Sequence, residues 1–322
     1  MNVLVIGGAG FVGSNLVRRL LAEPDTHVTV FDSLDPIYRS TRDSVAGLGD
    51  RLTFVEGDLL DEDSLDAAVK DQQVVFHCAG QTSHPYSMAH PLVDVKVNCL
   101  GSLRVLEAAQ RLAPDSTVVF TSSSTIVGRA ESETIDEDCV DRPCDIYSAN
   151  KGVAEKYFQL YHDMYGLKTV SLRLPNLYGA FGKADPQFGF INFFISLAQA
   201  GKPITVFGDG EQRRNVLYAE DAAEVLLRAS QDQEMFGRAL YASGDEHLSI
   251  CEIAEGIDKC FGGGGVKLVP WPEDRKQIDV GSVRLSSSRL RKITGWAPKY
   301  EFMAGLERAK QIIDEMGQEN TQ

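Results

Sequence analysis

The strongest constraint on the fold lies at the amino terminus. An apolar run, residues 3–6, leads into Gly7-Gly8-Ala9-Gly10-Phe11-Val12-Gly13, a G-x-x-G-x-x-G turn, and an amphipathic helical pattern follows over 12–22. A strand that turns through glycines into a helix brings backbone without Cβ atoms to the positive end of that helix, where a dinucleotide pyrophosphate can approach. Tight strand–helix packing is the plainer explanation for such glycines. Asp32 favours the first: it ends the next strand pattern, 27–31, where a carboxylate can accept both hydroxyls of an adenosine ribose. That carboxylate repels a 2′-phosphate, and Ser33-Leu34 supplies no arginine, so NAD is expected rather than NADP. Asp58-Leu59, just past the strand pattern at 52–55, is expected beside the adenine; capping a helix is the alternative use of Asp58.

Further apolar runs at 74–76 and 117–121 alternate with helical patterns at 64–69, 92–112 and 148–165. Runs that are apolar at consecutive positions suit strands covered on both faces. The alternation predicts an α/β fold, a doubly wound parallel sheet of Rossmann type with right-handed crossovers. The pattern changes after about Arg173. Residues 179–189 read as a loop, 190–200 as a helix, 208–211 as a turn, then 219–230 as a helix and 239–242 as a strand. Beyond Leu248 come two short helical patterns, a four-glycine linker at 262–265 and a strand at 269–272. The expected division is a dinucleotide-binding domain over 1–175, with 214–245 returning to it. A smaller interleaved α/β substrate domain is expected from 176–213 and 246–322.

Acidic residues number 46 against 32 basic ones, a formal charge of −14. Such a surface repels phosphate backbones and argues against nonspecific nucleic-acid binding. No apolar run approaches the ~20 residues that span a bilayer, and the first residues enter a strand without a basic leader. Six cysteines with no C-x-x-C pair fit reduced thiols. These features together predict a soluble cytoplasmic protein. His84 and His90 flank a loop and lack a third ligand at metal spacing, so no metal is expected; His77 reads as a hydrogen-bonded structural residue.

Tyr147-Ser148-Ala149-Asn150-Lys151 is Y-x-x-x-K, which places phenol and ammonium on one helix face. An ammonium beside a phenol favours the phenolate and draws its pKa down from about 10, making a general base of a residue otherwise too weak at neutral pH. Upstream, Val118-Val119-Phe120-Thr121 runs into Ser122-Ser123-Ser124-Thr125 at a strand's carboxyl end, where open α/β sheets bind ligands. A hydroxyl there can hold a substrate oxygen next to Tyr147.

With these pieces in place, the chain resembles the extended short-chain dehydrogenases/reductases, and within them the NAD-dependent nucleotide-sugar epimerase/dehydratase family. The likeness extends over nearly the whole chain. It includes His77-Cys78-Ala79-Gly80, Asn98-x-x-Gly101, Leu172-Arg173-Leu174-Pro175-Asn176-Leu177-Tyr178-Gly179, Gly208-Asp209-Gly210…Arg214-Asn215…Tyr218…Asp221 and Gly295-Trp296-Ala297-Pro298. The resemblance implies that Ser123 is the catalytic hydroxyl, Tyr147 the acid/base and Lys151 the ribose-binding lysine. It implies NAD contacts from Gly7, Gly10, Phe11, Val12, Gly13, Asp32, Asp58, Leu59, Ala79, Gly80 and Asn98. Substrate contacts are implied for Ser123, Ser124, Thr125, Asn176, Phe207 and Arg214, with a second cation from Arg275 or its neighbour Lys276. A homodimer built from the helices near 92–112 and 149–165 is implied as well, the alternative being packing onto the sheet.

Members of the family share their first step and diverge at a 4-keto sugar. The 4,6-dehydratases that this chain resembles carry Asp-Glu directly after the catalytic hydroxyl, and decarboxylases of UDP-glucuronate a Glu at the second place; here these positions are Ser124 and Thr125. A hydroxyl does not replace a carboxylate as a base near pH 7 without a strong activator. Subtraction leaves epimerisation, most like that of UDP-glucose 4-epimerases, with UDP-glucose/galactose or UDP-glucuronate as substrate. Gln81 keeps open a CDP-linked sugar inverted at C2, and Val283, where relatives can carry an aromatic, suggests a roomier sugar pocket. Dehydratase or decarboxylase activity, a non-catalytic NAD-binding scaffold and an NADP-linked carbonyl reductase are the other readings.

Overall fold

A computed structural model describes residues 1–129 and 132–319. The first half of the chain supplies β1 (Asn2–Ile6), β2 (His27–Asp32), β3 (Leu52–Glu56), β4 (Val74–His77), β5 (Thr117–Ser123) and β6 (Lys168–Leu174). Three short strands, β7 (Asn176–Tyr178), β8 (Ile204–Phe207) and β9 (Arg213–Tyr218), intervene before β10 (Arg238–Tyr241) pairs with β6. The large sheet runs β10-β6-β5-β4-β1-β2-β3, and every pair is parallel. This is the doubly wound Rossmann sheet read from the alternation. Its order reverses between β1 and β4, and such sheets bind ligands beyond the strand ends at that point. Ile6 is level with both Phe31 and His77, so the glycine turn, Asp32 and Cys78-Ala79-Gly80 emerge side by side.

Helices α1 (Phe11–Leu21), α2 (Glu62–Val69), α3 (His84–Ala89), α4 (Pro91–Asp94), α5 (Gly101–Leu112) and α6 (Ile146–Tyr165) belong to this half. Later come α7 (Phe190–Gln199), α8 (Ala219–Ala229), α9 (Ile250–Phe261), α10 (Glu273–Gln277), α11 (Ser288–Thr294) and α12 (Phe302–Glu319). On one face of the sheet Leu16 and Leu20 of α1 share a core with Ala222 and Leu226 of α8. On the other, Leu65, Leu106 and Phe158 from α2, α5 and α6 do the same. A separate core of Ile191, Phe194, Ile253, Ile257 and Leu306 lies under the three-stranded sheet β11-β9-β7, with β11 at His247–Ser249, and the pair β12-β8, with β12 at Val266–Val269. Of residues 214–245, β9 thus stays in the smaller sheet by pairing with β7 and β11, and the return to the large one begins at α8. Residues 320–322 of the C-terminal segment lie outside the described residues. Among the described residues no helix is long and apolar enough to cross a membrane.

Several elements differ from their sequence patterns for local reasons. The helix expected over 92–112 is broken by a π-helical turn, Val95–Leu100, between α4 and α5. Gly101 follows it because a Cβ there would lie 1.8 Å from Leu59 Cδ1. α6 starts two residues earlier than expected, since Asp145 caps it by accepting the Ser148 N–H at 2.8 Å. That places Tyr147 in the first turn. β12 ends at Val269, ahead of the expected 269–272 strand, because Pro270 and Pro272 cannot donate to a ladder. Residues 262–265 are a fastened turn rather than a loose linker: the Gly265 N–H donates to Asp258 Oδ1 at 2.8 Å, and its carbonyl accepts from Ile204.

Candidate active site

One cavity of about 670 Å³ runs along the carboxyl ends of the large sheet and on under the smaller core. At one end Gly7, with φ +77°, turns the chain out of β1, and the Gly7 N–H donates to Phe31 O at 2.7 Å. A Cβ on Gly13 would stand 2.2 Å from Gly7 O, and one on Gly7 2.6 Å from Ala79 N. The turn is therefore closed to any larger residue by the protein's own backbone. Gly10 caps α1 with no side chain, and the first turn of α1 holds no acidic residue. Its free N–H groups and the helix dipole consequently remain available to an anion. Asp32 is buried; Oδ2 accepts from Ala9 N at 3.0 Å, and Oδ1 from Leu34 N and Ser40 Oγ at 3.0 and 2.9 Å. Phe11, Val12, Asp58, Leu59, Ala79 and Gly80 border the same cavity. Asp58 is not the N-cap of α2; Asp61 occupies that position, without a side-chain capping bond. These residues fit a dinucleotide.

Asn98 is placed differently from the rest. It borders no part of the cavity; its Nδ2 donates to Gln81 O at 2.9 Å and Asp94 Oδ1 at 3.0 Å. Its Oδ1 lies 2.8 Å from where a Gly80 Cβ would be, so it supports the Gly80-Gln81 backbone from behind. Asp94, fully buried, also accepts from Asn150 and Gln81 side chains, both at 2.7 Å. Sequence reasoning missed this hub, whose one signal is the i, i+4 spacing of Asp94 and Asn98.

Ser123, Tyr147 and Lys151 meet at the middle of the cavity. The Ser123 and Thr125 hydroxyls are 2.8 Å apart, and Ser148 Oγ donates to Thr125 Oγ1 at 2.8 Å. Lys151 is buried, with Nζ 4.3 Å from the Phe120 ring centroid. Burial lowers its pKa from 10.5 to about 8, against the pull of Cys78, Asp94, Glu155 and Cys99. The fall of the Tyr147 pKa expected from the Y-x-x-x-K spacing is not found among the protein's own groups. Burial pushes the phenol well above its ordinary value; the Ser123 hydroxyl pulls it back, and Asp145 and Asp94 add to the rise. Desolvation of both partners outweighs their proximity.

Farther along, Ser124, Asn176, Phe207, Arg214 and Arg275 border the cavity, and Lys276 does not. Arg214 is already engaged: Nη2 donates to Asp279 Oδ1 at 3.0 Å and Nη1 to the carbonyls of Arg213 and Gly281. Burial lowers its pKa, and Asp279 opposes that. Phe207 packs on Trp271, ring centroids 5.5 Å apart. Val283 packs with Val127, Ile135, Tyr241 and Leu285, and borders not the main cavity but a small recess of about 20 Å³ that shares Ser124, Thr125, Asn176 and Arg214 with it. His77 is a buried structural residue, its Nε2 3.1 Å from Ser102 Oγ.

A strap that the sequence did not reveal crosses the dinucleotide end. From the loop after β7, Ala180 O accepts from Asn15 Nδ2 at 3.1 Å, the Phe181 ring lies 3.6 Å from the Arg18 guanidinium, and Lys183 donates to Tyr38 O. Asp185 pairs with Arg39 at 3.4 Å. Burial lowers Lys183 to about 8, opposed by Asp32 and Asp185.

A model of the NAD dependent epimerase/dehydratase family matches residues 3–239. The chain belongs to this family. It is 31% identical to the UDP-glucose 4-epimerase of Mycolicibacterium smegmatis over 97% of its own length and 98% of that protein's. It is 30% identical to the dTDP-glucose 4,6-dehydratase of Streptomyces niveus, over 95% and 90% of the two chains. The solved Thermus thermophilus UDP-glucose 4-epimerase, a complex with NAD, superposes with a TM-score of 0.86 at 30% identity, covering 97% of this chain and 98% of that one. The protein is thus an NAD-dependent enzyme of nucleotide-sugar chemistry. Near-equal identity to an epimerase and a dehydratase leaves the choice of reaction to the residues around Tyr147.

Proposed function

We propose that this enzyme is a UDP-sugar 4-epimerase. The observation that carries the reading is the chemistry beside Ser123: Ser124 and Thr125 stand where dehydratases hold carboxylates, and Thr125 Oγ1 is engaged by both Ser123 and Ser148. The pocket therefore has one acid/base phenol and no carboxylate there to expel a C6 hydroxyl. Gln81 gives a CDP-linked substrate no support, because it is turned into the Asp94 hub and away from the cavity.

In this reading the segments 1–175 and 219–245 hold the cofactor, and 176–218 and 246–319 the nucleotide-sugar. Gly7, Gly10, Gly13, Asp32, Asp58, Leu59, Ala79 and Gly80 would line the NAD site, with Lys151 at its nicotinamide ribose; Asn98 acts through Gly80. NAD held there would supply the hydride acceptor for oxidation of the sugar alcohol and the donor for its re-reduction. Ser123 holds the 4-oxygen, and Tyr147 removes its proton and gives it back. Lys151 keeps a positive charge one helical turn from the phenol, favouring the ionised form. Asn176, Arg214 and Arg275 face the diphosphate; Arg275, with no side-chain partner among the described residues, is the freer cation, since Arg214 is shared with Asp279. The 4-keto sugar turns over before hydride returns, so the cavity must hold its cofactor through the cycle.

Incubation with UDP-glucose, UDP-galactose and UDP-glucuronate, followed by NMR of the products, tests the reading: inversion at C4 is expected, and its absence from all three rejects it. We further infer a homodimer, supported by exposed Leu92, Val95 and Leu100 beside exposed Val153, Leu160 and Met164 on α6. Native mass spectrometry should record twice the chain mass. The six free thiols support a cytoplasmic location.

A further inference from the structure

His84 stands at the reacting centre, beside Tyr147. Ser83 caps α3 by accepting the Tyr86 N–H at 3.2 Å, and His84 follows as its first residue. Its ring meets the Tyr147 ring edge-on, with centroids 4.8 Å apart and an interplanar angle of 76°, and it borders the cavity. Nδ1 is 2.6 Å from Asp145 Oδ2, while Asp145 Oδ1 accepts the Ser148 N–H at 2.8 Å. The two side chains are exposed very differently, His84 at 34% and Asp145 at 1%.

Burial would raise the Asp145 pKa, but its bonds with His84 and Ser148 outweigh that and hold it below the ordinary carboxylate range. Asp145 is therefore an anion, and an anion takes the Nδ1 proton. The tautomer is fixed in this way, and Nε2, without a protein partner among the described residues, is presented to the cavity as an acceptor. Asp145 and Asp94 both push the pKa of the neighbouring phenol up. Because Tyr147 addresses the 4-oxygen of the sugar, a ring 4.8 Å from the phenol ring reaches groups on the carbons next to C4.

We propose that the His84–Asp145 pair sets sugar specificity: Nε2 accepts a hydrogen bond from a hydroxyl beside C4, and the carboxylate behind it disfavours a sugar carrying a carboxylate there. The proposal rests on the 4-epimerase reading and narrows it to neutral UDP-hexoses over UDP-hexuronates. With the imidazole neutral, the pair carries one negative charge and repels a C6 carboxylate. A C6 hydroxyl meets no such repulsion and donates to Nε2.

The test compares kcat/KM for UDP-glucose and UDP-glucuronate, and their Kd values by calorimetry, on the NAD-loaded enzyme and on the variants Asp145→Asn and His84→Val. Asn retains the carbonyl that caps α6, so fold and cap survive. The unaltered enzyme should prefer UDP-glucose by about tenfold or more. Asp145→Asn should reduce that preference at least severalfold by improving UDP-glucuronate, and His84→Val should weaken UDP-glucose binding while leaving NAD bound. Equal or better use of UDP-glucuronate, or a preference that neither variant moves, overturns the proposal. Absence of C4 inversion with both sugars rejects the 4-epimerase reading instead, and the calorimetric ratio still decides whether the pair discriminates.

Discussion

The helix carrying Tyr147 and Lys151 is fastened to the sheet by a buried ion pair whose loss can be estimated. Arg173 of β6 donates to Glu155 of α6 through Nε at 3.0 and 3.1 Å and Nη2 at 2.8 Å, with both side chains under 10% exposed. Arg173 also reaches Tyr241 OH at 3.2 Å and Asp141 at 3.4 Å. Glu155→Gln keeps one acceptor but leaves the guanidinium compensated only by Asp141, which is partly solvated. Breaking a buried pair from one side costs about 3–5 kcal/mol, and Asp141 holds the loss to about 3 kcal/mol, a large share of the about 5–15 kcal/mol that keeps a typical protein folded. Glu155 also supports the charge on Lys151, so the variant's lysine should titrate below about 8. Urea unfolding followed by circular dichroism measures the first effect. The double variant Glu155→Leu/Arg173→Met, which removes both charges, should recover most of the loss. A single variant that loses under about 1 kcal/mol, or a double variant no better than the single, would refute this reasoning.

Tyr147→Phe should lower turnover by about 10²–10⁴ while NAD remains bound in stoichiometric amount, as read from absorbance of the denatured protein. Gly13→Ala, with its Cβ 2.2 Å from Gly7 O, should abolish NAD binding in a calorimetric titration. Lys183→Met should release NAD faster during gel filtration, because the strap loses its bond to Tyr38. The pH dependence of stability has a definite sign. Lys151 and Lys183 titrate near 8 when folded and near 10.5 when unfolded, so between those values the unfolded chain binds more protons and stability rises with pH. Urea unfolding of the NAD-stripped protein between pH 8 and 9, below the range where the raised Cys78 and Cys99 thiols oppose it, should show this rise, and Lys183→Met should flatten it.

Local chemistry made much of the site readable in the sequence. The glycine turn, Asp32 and the Y-x-x-x-K pair each declare themselves within a few residues, and β5 delivers Ser123 by simple alternation. What escaped notice is nonlocal. His84 and Asp145 are 61 residues apart, and Lys183 and Tyr38 are 145 apart. Neither contact leaves a periodic trace. The π-helical turn escaped as well, since hydrophobic spacing does not distinguish it from a continuous helix. The expected fall in the Tyr147 pKa failed because spacing reports proximity and not burial.

Because β7–β9 leave the large sheet, α8 and β10 rejoin it, and the chain then departs again, neither half of the cleft corresponds to one contiguous segment. Transplanting a relative's sugar preference into this protein therefore cannot be done by a single crossover. At least two separate stretches would have to be exchanged together, along with the wall facing them around His84. A lineage that changes substrate by recombination would face the same arithmetic, which leaves point substitution beside Tyr147 as the shorter route.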